Sequence, residues 1–275
     1  MRMVRNLVVL LVMAGLMAGY AQTATAADAA QVAPVLDRIL AKKELVVGTA
    51  ASMPPLNMTM KDGQIAGFEV DLARLIAAGM GVKLTLKSMN FNDLLPALQT
   101  GNVDMVMSAM TITPTRNLKV AFVGPYFISG KSILTKQANI DSMNEPSKIN
   151  NPDRVLVALK GSTSQIFAEK MFPKAKLVLT DDYDRAVAMV REDKAQAMVA
   201  DMPICQVSVY RYRDAGLATL KDGLSYEPLG IAIRPNDLLL LNWLQNFVNT
   251  TEKDGTLRLT AERWFNDPSW VSQLR

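Results

Sequence analysis

Histidine is absent from the 275-residue sequence, and cysteine occurs only once, at Cys205. Zinc and copper sites in proteins usually need histidine or several thiolates as ligands, so neither kind of site is expected. Catalytic pairs in which a histidine activates a serine or cysteine are impossible for the same reason. A single cysteine cannot form a disulfide within the chain, so packing alone must stabilise the fold. We therefore expect no metal, no other cofactor and no catalytic residues.

Long runs of like charge are also missing, and charged residues make up 20% of the chain. Together with 49% hydrophobic residues, this composition argues against disorder and predicts one large or two smaller globular domains. The formal net charge is +4, from 30 basic and 26 acidic residues. Without Arg2 and Arg5, which lie in the segment described next, 28 basic residues against 26 acidic ones leave +2. So small a charge does not predict binding to nucleic acid or to an anionic membrane.

The first 26 residues have the layout of a secretory signal peptide. A basic head precedes an apolar run over residues 7–17, and small residues at 24–26 suit a cleavage site. The apolar run is shorter than the ~20 residues that a membrane-spanning helix needs. We expect cleavage after Ala26 or Ala27, which would leave an exported chain that begins near Asp28. An uncleaved anchor is the alternative interpretation.

Predicted strands and amphipathic helices alternate along the rest of the chain. Six apolar runs are predicted to be strands: 45–48, 83–87, 103–107, 155–159, 177–179 and 197–200. A helical pattern starts at Phe68, and Asn92 or Asp93 is expected to cap the next helix. Strands and helices in this order, with short connections, predict largely parallel sheets covered by helices. The layout restarts after Tyr126, so an α/β fold with two such units is expected.

A polar segment follows the predicted strand at 103–107. It contains four hydroxyl side chains, at Ser108, Thr111, Thr113 and Thr115, before Arg116. Hydroxyls and free backbone N–H groups at a strand end suit an anion, and a guanidinium can hold a carboxylate through two parallel hydrogen bonds. From this segment alone, a polar turn with a surface arginine is an equally good interpretation.

Several motifs resemble the periplasmic amino-acid-binding proteins of ABC importers, which belong to family 3 of the extracellular solute-binding proteins. The motifs are Met-Thr-Ile-Thr-Pro-Thr-Arg at 110–116, Val-Ala-Phe-Val-Gly-Pro-Tyr at 120–126, Gly-Phe-Glu-Val-Asp-Leu at 67–72, and the ending Gly-Thr-Leu…Trp-Phe at 255–265. Their order is the one expected for the family, and the resemblance extends from about Leu45 to Phe265.

The resemblance implies a two-lobe periplasmic-binding-protein fold of type II. Each lobe of this α/β fold is a mostly parallel sheet flanked by helices, and a two-strand hinge joins the lobes. Lobe 1 would comprise residues 28–128 plus 229–275, and lobe 2 residues 129–228.

The resemblance also implies where a free amino acid would bind. In the family, the segment around Thr111 and Arg116 holds the α-carboxylate, and an acid at the place of Asp201 takes the α-ammonium. Backbone N–H groups at a helix start over 162–164 would add an anion seat, although a plain helix cap explains that segment too. The implied ligand-binding residues are Met53, Phe91, Ser108, Ala109, Thr111, Arg116, Ser162, Thr163, Ser164 and Asp201.

The predicted side-chain pocket differs from that of the family's lysine, arginine and histidine carriers. Those proteins have an acid two residues after the strand glycine and a tyrosine three residues later. Ala50 and Met53 occupy these places here, whereas Phe91 keeps the aromatic wall. Without the acid, a cationic ligand side chain would lack its charge partner, so we expect a ligand that is not basic. An acidic ligand reached by Lys131, Lys160 or Arg185 is the alternative.

Two other functions on the same fold stay open at this stage. Periplasmic dehydratases of the cyclohexadienyl or prephenate type place a glutamic acid shortly after the glycine-threonine turn. Gln165 stands there, and an amide cannot act as a general acid. A ligand-sensing protein that signals through a membrane receptor is the other alternative. We expect a monomeric periplasmic binding protein, not an enzyme, that delivers an amino acid to an ABC permease in the inner membrane.

Overall fold

The computed structural model describes residues 33–140 and 145–275, so the predicted signal peptide at 1–26 lies outside the described residues. The described chain forms two five-stranded sheets and one small three-stranded sheet. None of its helices is both long and apolar enough to cross a membrane. The two large sheets, flanked by helices, give the α/β architecture that the sequence pattern predicts.

The first large sheet contains β1 (Glu44–Thr49), β5 (Lys83–Ser88), β6 (Met105–Val106), β7 (Ala121–Ser129) and β13 (Glu227–Ile233). Its strand order is β5-β1-β6-β13-β7. β1 pairs in parallel with β5 and β6, whereas β13 is antiparallel to both of its neighbours. All strands except β13 therefore run in one direction.

The second large sheet contains β8 (Lys131–Lys136), β9 (Val155–Leu159), β10 (Lys176–Thr180), β11 (Ala197–Asp201) and β12 (Leu217–Thr219). Its strand order is β10-β9-β11-β8-β12, and only β8 is reversed relative to the others. Both sheets thus have the same design, with the fourth strand in the order running against the other four. The predicted repeat of the architecture is confirmed at this level.

A small antiparallel sheet follows β1 and consists of β2 (Ser52–Met53), β3 (Asn57–Thr59) and β4 (Ile65–Ala66). The described α-helices are α1 (Pro34–Lys42), α2 (Phe68–Gly79), α3 (Phe91–Gln99), α4 (Pro114–Asn117), α5 (Pro146–Ile149), α6 (Thr163–Met171), α7 (Tyr183–Arg191), α8 (Met202–Arg211), α9 (Leu238–Lys253) and α10 (Thr256–Phe265). Short 3-10 helices occur at Gln137–Asn139, Arg213–Ala215 and Pro268–Gln273.

The predicted start of α3 is wrong by two or three residues. Phe91 is the first helical residue and is buried, and the N-cap position belongs to Asn90, which has an extended backbone. Asn92 and Asp93 therefore lie in the first turn rather than at the cap. The earlier start places the Phe91 ring at the end of the helix that faces the segment after β6.

Two hydrophobic clusters form the interior. The larger one includes buried residues from both five-stranded sheets, and the smaller one covers the other face of the second sheet. Along β9 the side chains alternate between them, with Val157 in the larger cluster and Leu156 in the smaller. This alternation follows from the two-residue period of a strand, and it explains why β9 is apolar throughout.

The chain crosses between the two large sheets at two adjacent points. Ser129 at the end of β7 pairs with Glu227 at the start of β13, and Gly130 leads directly into β8. A Cβ at Gly130 would lie 2.7 Å from the carbonyl oxygen of Ser225, so the two crossings are in close contact there. The two sheets are thus connected by neighbouring antiparallel strands.

Candidate ligand-binding site

The turn after β6 is held by two side chains from elsewhere in the fold. Ser108 Oγ accepts a hydrogen bond from the N–H of Ala50 (2.9 Å) and contacts Met53 Sδ at 3.8 Å. Ala109 adopts a left-handed backbone with φ of 49°, and its N–H donates to Glu69 Oε1 (2.7 Å). A non-glycine residue in that conformation costs on the order of 1 kcal/mol, so the surrounding contacts must hold it in place.

Glu69 is the buried residue that fixes this turn. Besides the Ala109 N–H, its carboxyl group accepts hydrogen bonds from Asn57 Nδ2 (2.5 Å) and the hydroxyl of Tyr126. Burial raises the pKa of Glu69 above its usual value, although these donors act in the opposite direction. The sequence suggested only a first-turn helix role for this residue, and the long-range contact to Ala109 was missed.

Arg116 reaches across to the second sheet. Its guanidinium donates to the carbonyl oxygens of Thr111 (2.9 Å) and Gly161 (3.2 Å), and Cζ lies 5.6 Å from the centre of the Phe91 ring. None of the ion pairs among the described residues involves Arg116. Burial lowers the pKa of Arg116 to about 10, and Glu227 and Asp201 oppose that effect. Arg116 is therefore a cation between the two large sheets, and it has no directly bound carboxylate among the described residues.

A lysine and two carboxylates form a buried cluster beside Arg116. Lys131, which has no exposed surface, places Nζ 3.1 Å from Asp201 Oδ1 and 3.3 Å from Glu227 Oε2. Asp201 Oδ1 also accepts a hydrogen bond from Ser129 Oγ (3.2 Å). With both acids ionised, this cluster of one cation and two anions has a net charge of −1.

Glu227 connects the two sides of the site through a single oxygen. Its Oε2 accepts hydrogen bonds from Thr111 Oγ1 (2.8 Å) and Thr163 Oγ1 (2.9 Å), while Oε1 accepts one from Ser225 Oγ (2.9 Å). Burial favours the neutral acid, but Lys131 and the three hydroxyl donors outweigh it and lower the pKa of Glu227. The carboxylate is therefore ionised at neutral pH.

The start of α6 contributes Thr163 to this cluster. Ser162 is the N-cap: its Oγ accepts from the Gln165 N–H (3.2 Å) and donates to the Leu159 carbonyl (2.7 Å). Ser164 Oγ lies 3.3 Å from the Tyr183 hydroxyl, inside the second lobe. Of these three consecutive hydroxyls, only that of Thr163 reaches Glu227. The first-turn N–H groups of Thr163 and Ser164 have no acceptor within the described part of the chain.

The ten predicted site residues divide into those that belong to this hydrogen-bond network or contact it and those that support it. Thr111, Arg116, Thr163 and Asp201 meet within one network, and Phe91 lies against Arg116. The remaining five support that network from behind or through the backbone: Met53, Ser108, Ala109, Ser162 and Ser164.

Two charged residues of the network were not among the predicted site residues. The sequence indicates Lys131 only as a possible contact for an acidic ligand, and it gives no such indication for Glu227. Each is a charged residue at the start of a largely buried strand, Lys131 in β8 and Glu227 in β13. A buried charge in that position needs a partner, which is the signal that could have found them.

Comparison with known proteins identifies the family of this chain. The family model for bacterial extracellular solute-binding proteins, family 3, matches residues 45–267. The chain belongs to this family. The resemblance inferred from the motifs is therefore confirmed.

Individual relatives cover most of this solute-binding protein. The ABC transporter arginine-binding protein 1 of Escherichia coli (strain K12) is 26% identical over 228 residues, which cover 82% of this chain and 92% of the relative. A solved structure of an ABC transporter binding component from Wolinella succinogenes, in complex with lysine, has a TM-score of 0.80 and 36% identity, covering 84% of this chain and 99% of its own. The solute-binding protein thus has the two-lobe type II fold.

A third relative connects the family to an enzyme. The structure of the ancestral amino-acid-binding protein AncCDT-1, described as a precursor of cyclohexadienyl dehydratase, has a TM-score of 0.77 and is 38% identical to this chain. The match covers 84% of this chain and 99% of the ancestral one.

Proposed function

We propose that this solute-binding protein captures a free amino acid as its zwitterion and delivers it to an ABC permease in the inner membrane. The observation that carries the proposal is a pair of unbalanced charges. Arg116 has no bound carboxylate among the described residues, whereas the cluster of Lys131, Asp201 and Glu227 has a net charge of −1. An α-carboxylate and an α-ammonium balance the two charges, and burying either one without a partner would cost several kcal/mol.

The backbone supports the same orientation of the ligand. The N–H groups of Thr111, Thr163 and Ser164 have no acceptor within the described residues, and Arg116 adds its guanidinium to them. These donors suit a carboxylate, with the α6 N-terminus contributing its dipole. Asp201 uses Oδ1 for both of its hydrogen bonds, which leaves Oδ2 for an ammonium.

We further propose that the ligand is not basic. Ala50 supplies no charge beside Ser108, and Met53 behind it is an apolar, polarisable side chain. A lysine or arginine ligand would therefore bury its terminal cation without a carboxylate from this wall. The arginine-binding and lysine-bound relatives make basic ligands the alternative that the experiment below must include.

We propose that the protein binds its ligand without catalysing a reaction, and the environment of Gln165 supports this. Its side-chain amide accepts from the Gly161 N–H (2.8 Å) and donates to Glu169 Oε1 (2.8 Å), so it serves as a local brace at the helix start. It has no proton that it could give to a leaving group at neutral pH. A sensory role would use the same lobes and the same ligand, and genes for permease and ATPase subunits next to this one would argue against it.

The proposal includes a monomer of two lobes, residues 28–128 plus 229–275 and residues 129–228, in the periplasm after cleavage near Ala26. A thermal-shift screen of the free amino acids, with the basic ones included, tests it. A ligand at a hundredfold excess over its Kd stabilises the folded protein by about 2.7 kcal/mol. The proposal fails if no amino acid shifts the melting temperature. The proposal that the ligand is not basic fails if only basic amino acids shift it.

A further inference from the structure

Asp201 already has a resident cation in this protein. Lys131 Nζ lies 3.1 Å from Asp201 Oδ1, and neither side chain is appreciably exposed. In a site where the ligand's ammonium is the only counter-ion, a ligand without it would leave a buried carboxylate unpaired. Such a loss lowers affinity by more than about a hundredfold. That penalty is reduced here, because Lys131 remains beside the carboxylate when the ammonium is missing.

Hydroxyl donors share the remaining negative charge of the cluster. Ser129 donates to Asp201, and Thr111, Thr163 and Ser225 donate to Glu227. Hydrogen bonds from neutral donors to a carboxylate stabilise its ionised form, so neither acid depends on a second cation. Of the four carboxylate oxygens of Asp201 and Glu227, only Asp201 Oδ2 has no partner within the described residues, and a single O–H donor from a ligand would complete it.

We propose that the site formed by Arg116 and the cluster of Lys131, Asp201 and Glu227 binds 2-hydroxy acids as a second ligand class beside amino acids. The proposal rests on the proposed function for the carboxylate, which Arg116 and the Thr111 N–H would hold in both classes. The 2-hydroxyl group takes the place of the ammonium and donates to Asp201 Oδ2. A 2-oxo acid or a plain carboxylic acid has no proton to donate there and binds more weakly than the hydroxy acid.

Calorimetric titration of matched pairs tests the proposal in the wild-type protein. The pairs are L-alanine with L-lactate, L-leucine with L-2-hydroxy-4-methylpentanoate, L-phenylalanine with L-3-phenyllactate, and L-arginine with L-2-hydroxy-5-guanidinopentanoate. For the amino acid that binds best, we expect the hydroxy acid to bind within about a hundredfold, since only a charge-assisted contact is weakened. A larger gap is the mark of a stranded carboxylate and overturns the inference.

Two variants should shift the affinity ratio between amino acid and hydroxy acid in opposite directions. Lys131→Met changes the net charge of the cluster to −2. The affinity for the hydroxy acid should therefore fall at least about tenfold relative to the affinity for the amino acid. Glu227→Gln makes the cluster neutral, so the hydroxy acid should gain by a similar factor. Taking the ratio cancels any effect on folding or lobe closure that both ligands share. Because Lys131→Met removes a buried cation, Glu227→Gln keeps the test decisive should the lysine variant fail to fold.

Lys136→Met is the matched control. Lys136 is at the other end of β8, and its ion pair with Asp193 is on the surface, so the ratio should not change. Equal ratios in all variants, or shifts in the same direction, contradict the resident-cation argument. If amino acids bind and hydroxy acids do not, this inference alone fails. If no amino acid binds, the proposed function fails with it.

Discussion

Arg116 is the residue on which we propose that recognition of a carboxylate depends. Its two acceptors in the protein are carbonyl oxygens, at 2.9 Å and 3.2 Å, and they orient the guanidinium without neutralising it. Burial lowers the pKa of Arg116 to about 10, which still leaves it charged at neutral pH. A ligand carboxylate would therefore meet a cation that is already oriented and has no carboxylate partner among the described residues.

Replacing Arg116 with alanine should lower amino-acid affinity by two to three orders of magnitude. The ligand carboxylate would remain in a water-poor cleft without its cation, which costs about 3–5 kcal/mol. Arg116→Lys should restore only part of the loss, because an ammonium cannot make the two-point contact. Calorimetric titration measures both effects.

The matched control for Arg116→Ala is Arg258→Ala, which removes an exposed arginine paired with Glu262 on the surface. Melting curves without ligand show whether each variant folds. An Arg116→Ala protein that folds normally and binds within about threefold of wild type, far below the loss expected for a stranded charge, would exclude the proposed carboxylate site. An α-amide of the ligand should bind as poorly to the wild type.

Ala50 is the position at which we expect a substitution to change the selection of ligand charge. Its N–H binds Ser108, so an aspartate at 50 should place a carboxylate beside the proposed side-chain pocket. We expect Ala50→Asp to improve the affinity for arginine or lysine relative to a neutral amino acid, by about tenfold if the new ion pair is partly buried. Paired titrations of both proteins measure the ratio, and an unchanged ratio would mean that Ala50 does not face the ligand.

At the scale of elements, the strands were the most predictable part of the fold. Each predicted strand overlaps an observed one. A short apolar run between turn residues is best explained as a buried strand, so few other structures compete with it. Helix starts were less predictable. Asn92 and Asp93 are good capping residues, but α3 begins at Phe91 because burying the ring fixes the chain there. Tertiary packing overrides local preference at such a position.

The sequence predicted those site residues that lie in local motifs. Thr111, Arg116, Thr163 and Asp201 stand in recognisable motifs, and the structure brings them into one network. Glu227 and Glu69 could not be assigned in the same way, because their partners are far away in sequence. Glu227 binds Thr111, and Glu69 binds Ala109, only after the chain has folded. A periodicity argument contains no information on such pairs.

The N-cap of α6 should affect ligand binding as well as stability. Ser162→Ala removes the acceptor for the Gln165 N–H, which should cost about 1 kcal/mol in the free energy of unfolding. Because α6 begins with Thr163, fraying of its first turn should also weaken amino-acid binding by several-fold. Urea denaturation and calorimetric titration measure the two effects.

Asp182→Ala is the matched control, because Asp182 caps α7 in the same lobe and accepts from the Arg185 N–H (2.7 Å). It should lose similar stability and leave the affinity unchanged. Equal losses of affinity in the two variants would show that α6 has no special role in binding.

At the scale of the whole molecule, one carboxylate joins the two lobes. Glu227 lies on a strand that connects the two sheets, and its Oε2 accepts from Thr111 on one side and Thr163 on the other. Closure in binding proteins of this architecture shifts an equilibrium between open and closed forms that exists without ligand. The bridge through Glu227 needs no ligand atom, so we expect it to favour the closed form in the ligand-free protein.

Removing the Thr111 hydroxyl should therefore shift the ligand-free protein towards the open form. Thr111→Val removes the hydrogen bond that Glu227 accepts from the other lobe, worth about 1.5–3 kcal/mol, and should increase the radius of gyration measured by small-angle X-ray scattering. Thr135→Val is the matched control, since it removes a buried hydroxyl that binds Gln196 within the second lobe. If both variants have the wild-type radius of gyration, Glu227 does not couple the lobes.

The same bridge should weaken in acid. The pKa of Glu227 is lowered from its ordinary value of 4.5 in the closed form, so the closed form binds the proton less well than a form in which Glu227 is free. Its contribution is present above that value and is lost as the pH falls through the lowered pKa. In Glu227→Gln the opening transition below about pH 4.5 should be absent, which scattering across a pH series can measure.

Gly161 sets a limit on how far the lobes can approach each other. A Cβ at this position would lie 2.4 Å from Asn92 Oδ1, so the backbone of one lobe already rests against a side chain of the other. We expect this contact to limit how closely the two lobes can approach each other, and therefore to limit the width of the space between them. A ligand too large for that width would hold the lobes apart and break the bond from Arg116 to the Gly161 carbonyl. The protein would thus reject a large ligand because the lobes cannot close, and the lost contact would lie away from the pocket that holds the ligand side chain.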